Sequence, residues 1–109
     1  MADAYKRLAQ TSSAATGPTT IYTATGVTAV VRKIQVINQS GAQATIKLHH
    51  VENSGSADAT TVILPTVTLE NNEHGIDDTP FVMEAGDFIQ MEADGTNAIT
   101  VQLYGLEIS

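Results

Sequence analysis

The residues of this 109-residue chain best suited to chemistry are its three histidines and the carboxylates near them. His49 and His50 are adjacent in a stretch, Ala42 to Val51, whose alternation is that of a strand. Neighbouring side chains on a strand leave opposite faces, so the pair is not placed to chelate one ion. The expectation is one imidazole facing solvent and the other at a rim. The third histidine, in Glu73-His74-Gly75-Ile76-Asp77-Asp78, sits among three carboxylates, a set that offers oxygen and nitrogen to a hard cation. Its spacing does not follow the calcium-loop pattern of alternating Asp or Asn, then Gly, then a distant Glu, and a solvated turn accounts for the same residues. The sequence predicts no metal.

Hydrolytic chemistry has even less to work with. A serine hydrolase sets its nucleophile on a strained elbow flagged by G-x-S-x-G, whereas Ser54-Gly55-Ser56 is a loop tripeptide. Glu84 and Asp87 are a carboxylate pair of the type that glycoside hydrolysis uses, yet their turn explains both. An Asp after Ala85-Gly86 accepts backbone N–H groups and holds a chain reversal, fixing register between two core strands. With no cysteine, thiolate metal sites, disulfides and a Cys nucleophile are all excluded. The expectation is a protein that is not an enzyme and carries no cofactor, one whose surface is its function.

The elements that would carry such a surface are strands. Phe81-Val82-Met83-Glu84, Phe88 to Ala93 and Ala98 to Ile108 are separated by Ala85-Gly86-Asp87 and Asp94-Gly95-Thr96-Asn97, and read as a β-meander. Val27 to Asn38 is the longest candidate. Val30, Ile34 and Val36 share one face, which also receives Arg32, so this cation must reach the sandwich edge or pair with a carboxylate. Gln39-Ser40-Gly41 reads as a hairpin into Ala42 to Val51, with Ala44, Ile46 and Leu48 inward and Thr45 and Lys47 outward. Thr20 to Thr25, Thr60 to Leu64, Thr66 to Leu69 and Ile76 to Thr79 complete the set. Pro65 ends a strand or marks an edge, because it cannot donate to a ladder. Gly105 inside the last strand is read either as ordinary sheet twist or as a bulge turning Tyr104, Leu106 and Ile108 outward. About eight short strands at this spacing predict an all-β fold, an antiparallel β-sandwich of jelly-roll or Ig-like type. Residues 1–17 are expected to form an N-terminal arm and linker, and residues 18–109 the sandwich domain.

Composition sets limits on partners. The chain is 42% hydrophobic but only 5% aromatic, without Trp, so its core must be mainly aliphatic. The net charge is −7 and only five residues are Lys or Arg, too few to grip a phosphate backbone, so no nucleic acid partner is expected. No apolar run approaches the roughly 20 residues of a membrane span, and the first residues lack the apolar core of a signal peptide. The expectation is a soluble protein made in the cytoplasm, with no membrane partner.

Several segments together resemble the small β-rich structural proteins of tailed bacteriophages, including capsid decoration (cement) proteins. They are Tyr5-Lys6-Arg7-Leu8-Ala9, Thr20-Ile21-Tyr22-Thr23, Ile34-Gln35-Val36-Ile37-Asn38-Gln39-Ser40, Ala44-Thr45-Ile46-Lys47-Leu48, Met83 to Ile89 and Val101 to Glu107. The resemblance implies a β-sandwich on the capsid surface of a virion, bound to the lattice of the major capsid protein, often as a homotrimer. Subunit and capsid contacts are then expected from the first segment and the last strand, at Tyr5, Lys6, Arg7, Leu8, Tyr104 and Leu106. A tail, neck or fibre module is the alternative within phage structure. A carbohydrate- or receptor-binding sandwich is the alternative outside it, though a chain without Trp has little to stack on sugars.

Overall fold

The computed structural model describes residues 4–12, 19–39, 41–57, 60–93 and 99–108, with backbone alone at 4, 5, 11 and 12. Nine strands are formed among them: β1 (Ala4–Ser12), β2 (Thr19–Thr23), β3 (Thr28–Asn38), β4 (Ala44–Val51), β5 (Val62–Leu69), β6 (His74–Asp77), β7 (Phe81–Met83), β8 (Phe88–Ala93) and β9 (Ile99–Ile108). Sheet A runs β1-β9-β3, with β6 and β7 end to end along the far side of β3; sheet B runs β2-β8-β4-β5. All pairings are antiparallel. Since β6 and β7 fill one position, each sheet has four, and the order is that of a jelly roll, the sandwich expected from the strand spacing. The ninth strand comes from a break at Asp78-Thr79-Pro80, where proline removes a donor. Residues 4–12 lie along β9 as the edge of sheet A. The expected linker at 13–17 is outside the described residues.

Two local expectations are corrected. Phe81 to Ile108 is not a meander: β7 and β9 are in sheet A, while β8 between them is in sheet B. Gln39-Ser40-Gly41 is not a hairpin, because β3 and β4 are also in opposite sheets. Both β3 and β4 have an apolar face to bury, and stacking the strands across the sandwich buries both at once. Inward side chains of the two sheets, including Val31, Ile34, Val36 and Leu103 from A and Ile46, Leu48, Ile89 and Met91 from B, are at most 4% exposed. The inward set Ala44, Ile46 and Leu48 is as the alternation predicted.

The bend from β3 to β4 is held by Asn38, which is fully buried. Its side-chain amide donates to Ala42 O (2.8 Å) and Leu69 O (2.9 Å), and its backbone carbonyl accepts from Asn72 N. The bend from β7 to β8 has Gly86 at φ +92°, and a Cβ there would lie 2.5 Å from the Asn53 side chain. Asp87 fastens this corner as described below.

Arg32 is also corrected. The register of β3 on β9 passes from Val31↔Gly105 to Lys33↔Tyr104, so Arg32 is the extra residue of a bulge and is exposed. The bulge reverses the facing of the strand: Ala29 and Val31 are buried before it, Ile34 and Val36 after it, and Val30 is turned outward. Gly105 stands opposite, with so little room that a Cβ would lie 2.0 Å from Val30 O. Its glycine permits the close approach of a bulge carried by the neighbouring strand. Pro65 does mark an edge: β5 is the outer strand of sheet B, and it continues past Pro65 through a second bulge, between Leu64 and Val67.

Candidate functional site

The two faces of the sandwich differ in chemistry, and the difference follows from strand register. Directly paired residues of neighbouring strands share a face, so the outward rows of sheet A can be traced across it. One row is Leu106, Val30 and Val82; the next is Arg7, Tyr104 and Lys33; the third is Gln10, Gln102, Gln35 and Ile76. Tyr104 donates its hydroxyl to Gln102 Oε1 at 2.6 Å, which pins the ring across two rows. Arg32 adds a further cation beside Lys33. Outward pairs on sheet B are instead Thr45 with Thr68, Lys47 with Glu92, and His49 with Gln90, and Gln90 reaches Thr20 at 3.1 Å.

Exposure separates the faces further. Among the described residues the large hydrophobic side chains left exposed are Ile76 (52%), Val82 (57%) and Ile108 (40%), all on strands of sheet A. Arg7 and Arg32 are exposed and Lys33 half-buried on the same sheet, and none is in an ion pair among the described residues. A face with apolar side chains, an anchored tyrosine and unpaired cations is equipped to bind a protein surface.

The residues expected to make contacts fall into three groups. Arg7, Tyr104 and Leu106 lie together on the outer face of sheet A. Lys6 is turned to the sandwich seam, where its ammonium meets Glu107 Oε1 at 2.6 Å while Tyr22 of β2 donates to Glu107 Oε2 at 2.6 Å. Those two bonds hold the Glu107 carboxyl below its ordinary pKa against a smaller opposing effect of burial. Burial and the nearby carboxylate push the Tyr22 phenol up. Leu8, the extra residue of a bulge in β1, packs on the core, and Tyr5 enters the register opposite Leu106 with its side chain outside the described set. Val30, Val82 and Ile76 were not foreseen. The bulge at Arg32 hid Val30, and no residue of β6 or β7 signals that Ile76 and Val82 would be left exposed.

His49 and His50 lie at the end of β4 toward the β7–β8 corner. His50 Nε2 is 3.0 Å from Asp87 Oδ2, and its ring lies 5.4 Å from that of Phe81. Asp87, 7% exposed, also accepts from the backbone N–H groups of Glu84 (3.0 Å) and Asn53 (3.1 Å). Burial raises the Asp87 pKa, but the His50 bond and the two backbone bonds outweigh it, so the carboxyl lies below its ordinary value. Asp87 therefore does hold a reversal by accepting amide protons, though the reversal joins two sheets. His50 sits at a rim, as expected. His49 does not face solvent: it is 3% exposed, covered where Thr61 accepts from or donates to its Nδ1 at 2.8 Å. Its Nε2 is 3.3 Å from Glu92 Oε1 without a directed hydrogen bond. A groove beside His50 is lined by Glu52, Thr60, Thr61, Val82, Glu84 and Asp87, and the hydroxyl of its Thr61 is engaged with His49 on the other face.

The acidic segment after β5 is equally committed. Glu73 Oε1 accepts from Glu70 N at 2.8 Å, Asp77 Oδ1 accepts from Thr79 N at 3.0 Å, and His74 through Asp77 form β6. Among the described residues no three His, Asp or Glu side chains gather in a way that would hold a metal ion. Among the described residues no helix is long and apolar enough to cross a membrane.

No family model matches the chain. No curated protein matches it either. Among solved structures it is similar to that of the Eiger TNF from S. frugiperda, at 13% identity over 98% of this chain and 91% of that one, with a TM-score of 0.46.

Proposed function

We propose that this chain is a virion structural protein of the capsid decoration type, which docks on the lattice of the major capsid protein through the outer face of sheet A and works as a homotrimer on the shell. What supports the reading is the resemblance of its strand and turn segments to phage structural proteins, together with the one-sidedness of the sandwich. The observation that carries it is that Ile76, Val82 and Ile108, the exposed large hydrophobics among the described residues, share sheet A with Tyr104, Leu106 and three cations, Arg7, Arg32 and Lys33, that make no ion pair among the described residues. A module that joins subunits needs no reacting groups. It stabilises a lattice by covering surface on neighbouring subunits, and repeated attachment raises avidity beyond any one contact.

The test is co-sedimentation with undecorated capsids. Wild-type protein is expected in the pellet with them. Tyr104→Ala and Val82→Glu, both substitutions at outward positions, are expected to weaken retention by roughly tenfold each, as central contacts do. Thr45→Glu on sheet B is expected to change nothing. Failure of the wild type to pellet, or equal losses from both faces, would refute the docking. Sedimentation equilibrium tests the trimer separately, and a monomer at high concentration would refute it.

A further inference from the structure

His49 is paired with Gln90 on the outward side of sheet B, yet it is only 3% exposed, because the chain returning from β4 to β5 covers it. Thr61, the last residue before β5, ties that return to β4 twice. Its carbonyl accepts from His50 N at 2.8 Å, and its hydroxyl stands 2.8 Å from His49 Nδ1. The second ring nitrogen is left over: His49 Nε2 is buried without a hydrogen-bond partner, 3.3 Å from Glu92 Oε1.

Few charges surround the ring. Along β4 the outward neighbours are Lys47 and Val51; β8 brings Gln90 and Glu92, β5 brings Val62, and β2 reaches this face through Thr20, which is bonded to Gln90. Among the described residues, one cation and one carboxylate therefore face His49. Lys47 and Glu92 are cross-strand partners but form no ion pair with each other, and the carboxylate is the group in contact with the imidazole.

A neutral imidazole carries a single N–H, which it can direct to Thr61 or to Glu92 but not to both. The imidazolium donates from both nitrogens, and its bond to the carboxylate is charge-assisted. The Glu92 side chain is 35% exposed, enough to turn onto the Nε2–H axis. Lys47 opposes the added charge from farther off.

We infer that His49 and Glu92 form a pH-sensitive latch: under mild acid the protonated imidazole donates to Thr61 and to Glu92 together, fastening the approach to β5 onto β4 and β8. The latch makes the outer strands of sheet B harder to open. It lies on the sheet opposite the proposed capsid-docking face and does not depend on that docking.

Urea unfolding of the wild type and Glu92→Gln from pH 8 to pH 5.5, the range in which histidines change charge, tests it. The folded wild type has a carboxylate to hold the His49 proton and the variant does not, whereas around His49 the unfolded chains differ only by one solvated side chain. By linkage the wild type must gain stability over the variant as pH falls. His50 and His74 are present in both proteins and cancel. The folding equilibrium constant of the wild type relative to Glu92→Gln is expected to rise by roughly fivefold to tenfold across the range, as for an opposite charge in contact with the titrating group. In a His49→Gln background the same comparison should be flat. Ring nitrogen chemical shifts at pH 6 give a second measurement, with a larger imidazolium fraction expected at His49 in the wild type than in Glu92→Gln. A ratio that stays constant or falls on acidification, a pH-dependent ratio that survives His49→Gln, or equal imidazolium fractions in the two proteins would overturn the inference.

Discussion

Asp87 carries the sharpest prediction because three separate segments end on its carboxylate. In Asp87→Ala the N–H of Glu84, the N–H of Asn53 and Nε2 of His50 lose an acceptor at 3.0–3.1 Å. A hydrogen bond to a charged group contributes about 1.5–3 kcal/mol when water cannot replace it. Glu84 and Asn53 are exposed and His50 is half-buried, so water recovers part of each, and about 1 kcal/mol apiece is a fair allowance. The expected loss is about 3 kcal/mol for Asp87→Ala, a fall in melting temperature of about 10–15 °C for a chain of this size. Asp87→Asn keeps one acceptor oxygen and should lose about half as much.

The acid dependence has a definite sign. The folded carboxyl lies below its ordinary value, so its contribution is complete above the unfolded pKa of about 3.9 and disappears as pH falls through the folded one. Urea unfolding followed by far-ultraviolet dichroism should therefore show the gap between wild type and Asp87→Asn constant near neutrality and closing below about pH 4. A loss under about 1 kcal/mol in Asp87→Ala would refute the role given to the corner. A gap that stays constant into strong acid would refute the pKa argument.

Gly105→Ala should prevent folding or cost more than about 3 kcal/mol, because its Cβ would fall 2.0 Å from the backbone oxygen of Val30 and the strand cannot yield without breaking the register; soluble yield and thermal melting check it. Leu103→Ala, at a fully buried position between the sheets, should lose about 2–5 kcal/mol in urea titrations without changing the slope. Lys6→Ala removes an ion pair that is half in solvent and should cost at most about 1 kcal/mol, measured against the wild type in low and high salt. Tyr22→Phe should cost about 1 kcal/mol at neutral pH and less as pH falls through the depressed Glu107 pKa, since that carboxyl is then protonated and its contribution is lost.

Much of the fold was legible because strand pattern is local. The alternation of Ala44, Ile46 and Leu48 against Thr45 and Lys47 named the inner face of β4, and of the two readings of Pro65, a strand end or an edge, the edge holds. Asp87 was legible as well, since a carboxylate in a glycine turn has few other uses. Arg32 was not, because a bulge is set by two strands together: the narrow point at Gly105 of β9 accommodates the extra residue of β3, and the two are over seventy positions apart. The expectation that one imidazole of the His49–His50 pair faces solvent failed because His49 is covered by Thr61, which approaches only when the chain beyond β4 folds back.

The candidate surfaces divide in the same way. Arg7, Tyr104 and Leu106 could be picked out along the chain as residues suited to contacts, but their gathering in adjacent rows with Val30 and Val82 comes from pairing among β1, β9, β3 and β7. By itself the sequence determined that the chain is all-β, where most strands begin and end, and which side chains alternate toward a core, since φ/ψ preference and burial period act over a few residues. Only the tertiary structure decided that the turns at Gln39 and Gly86 carry the chain from one sheet to the other. Gly86 has the same left-handed conformation that a hairpin would use, and the choice between folding back in plane and crossing over is made by which apolar faces can be buried against each other.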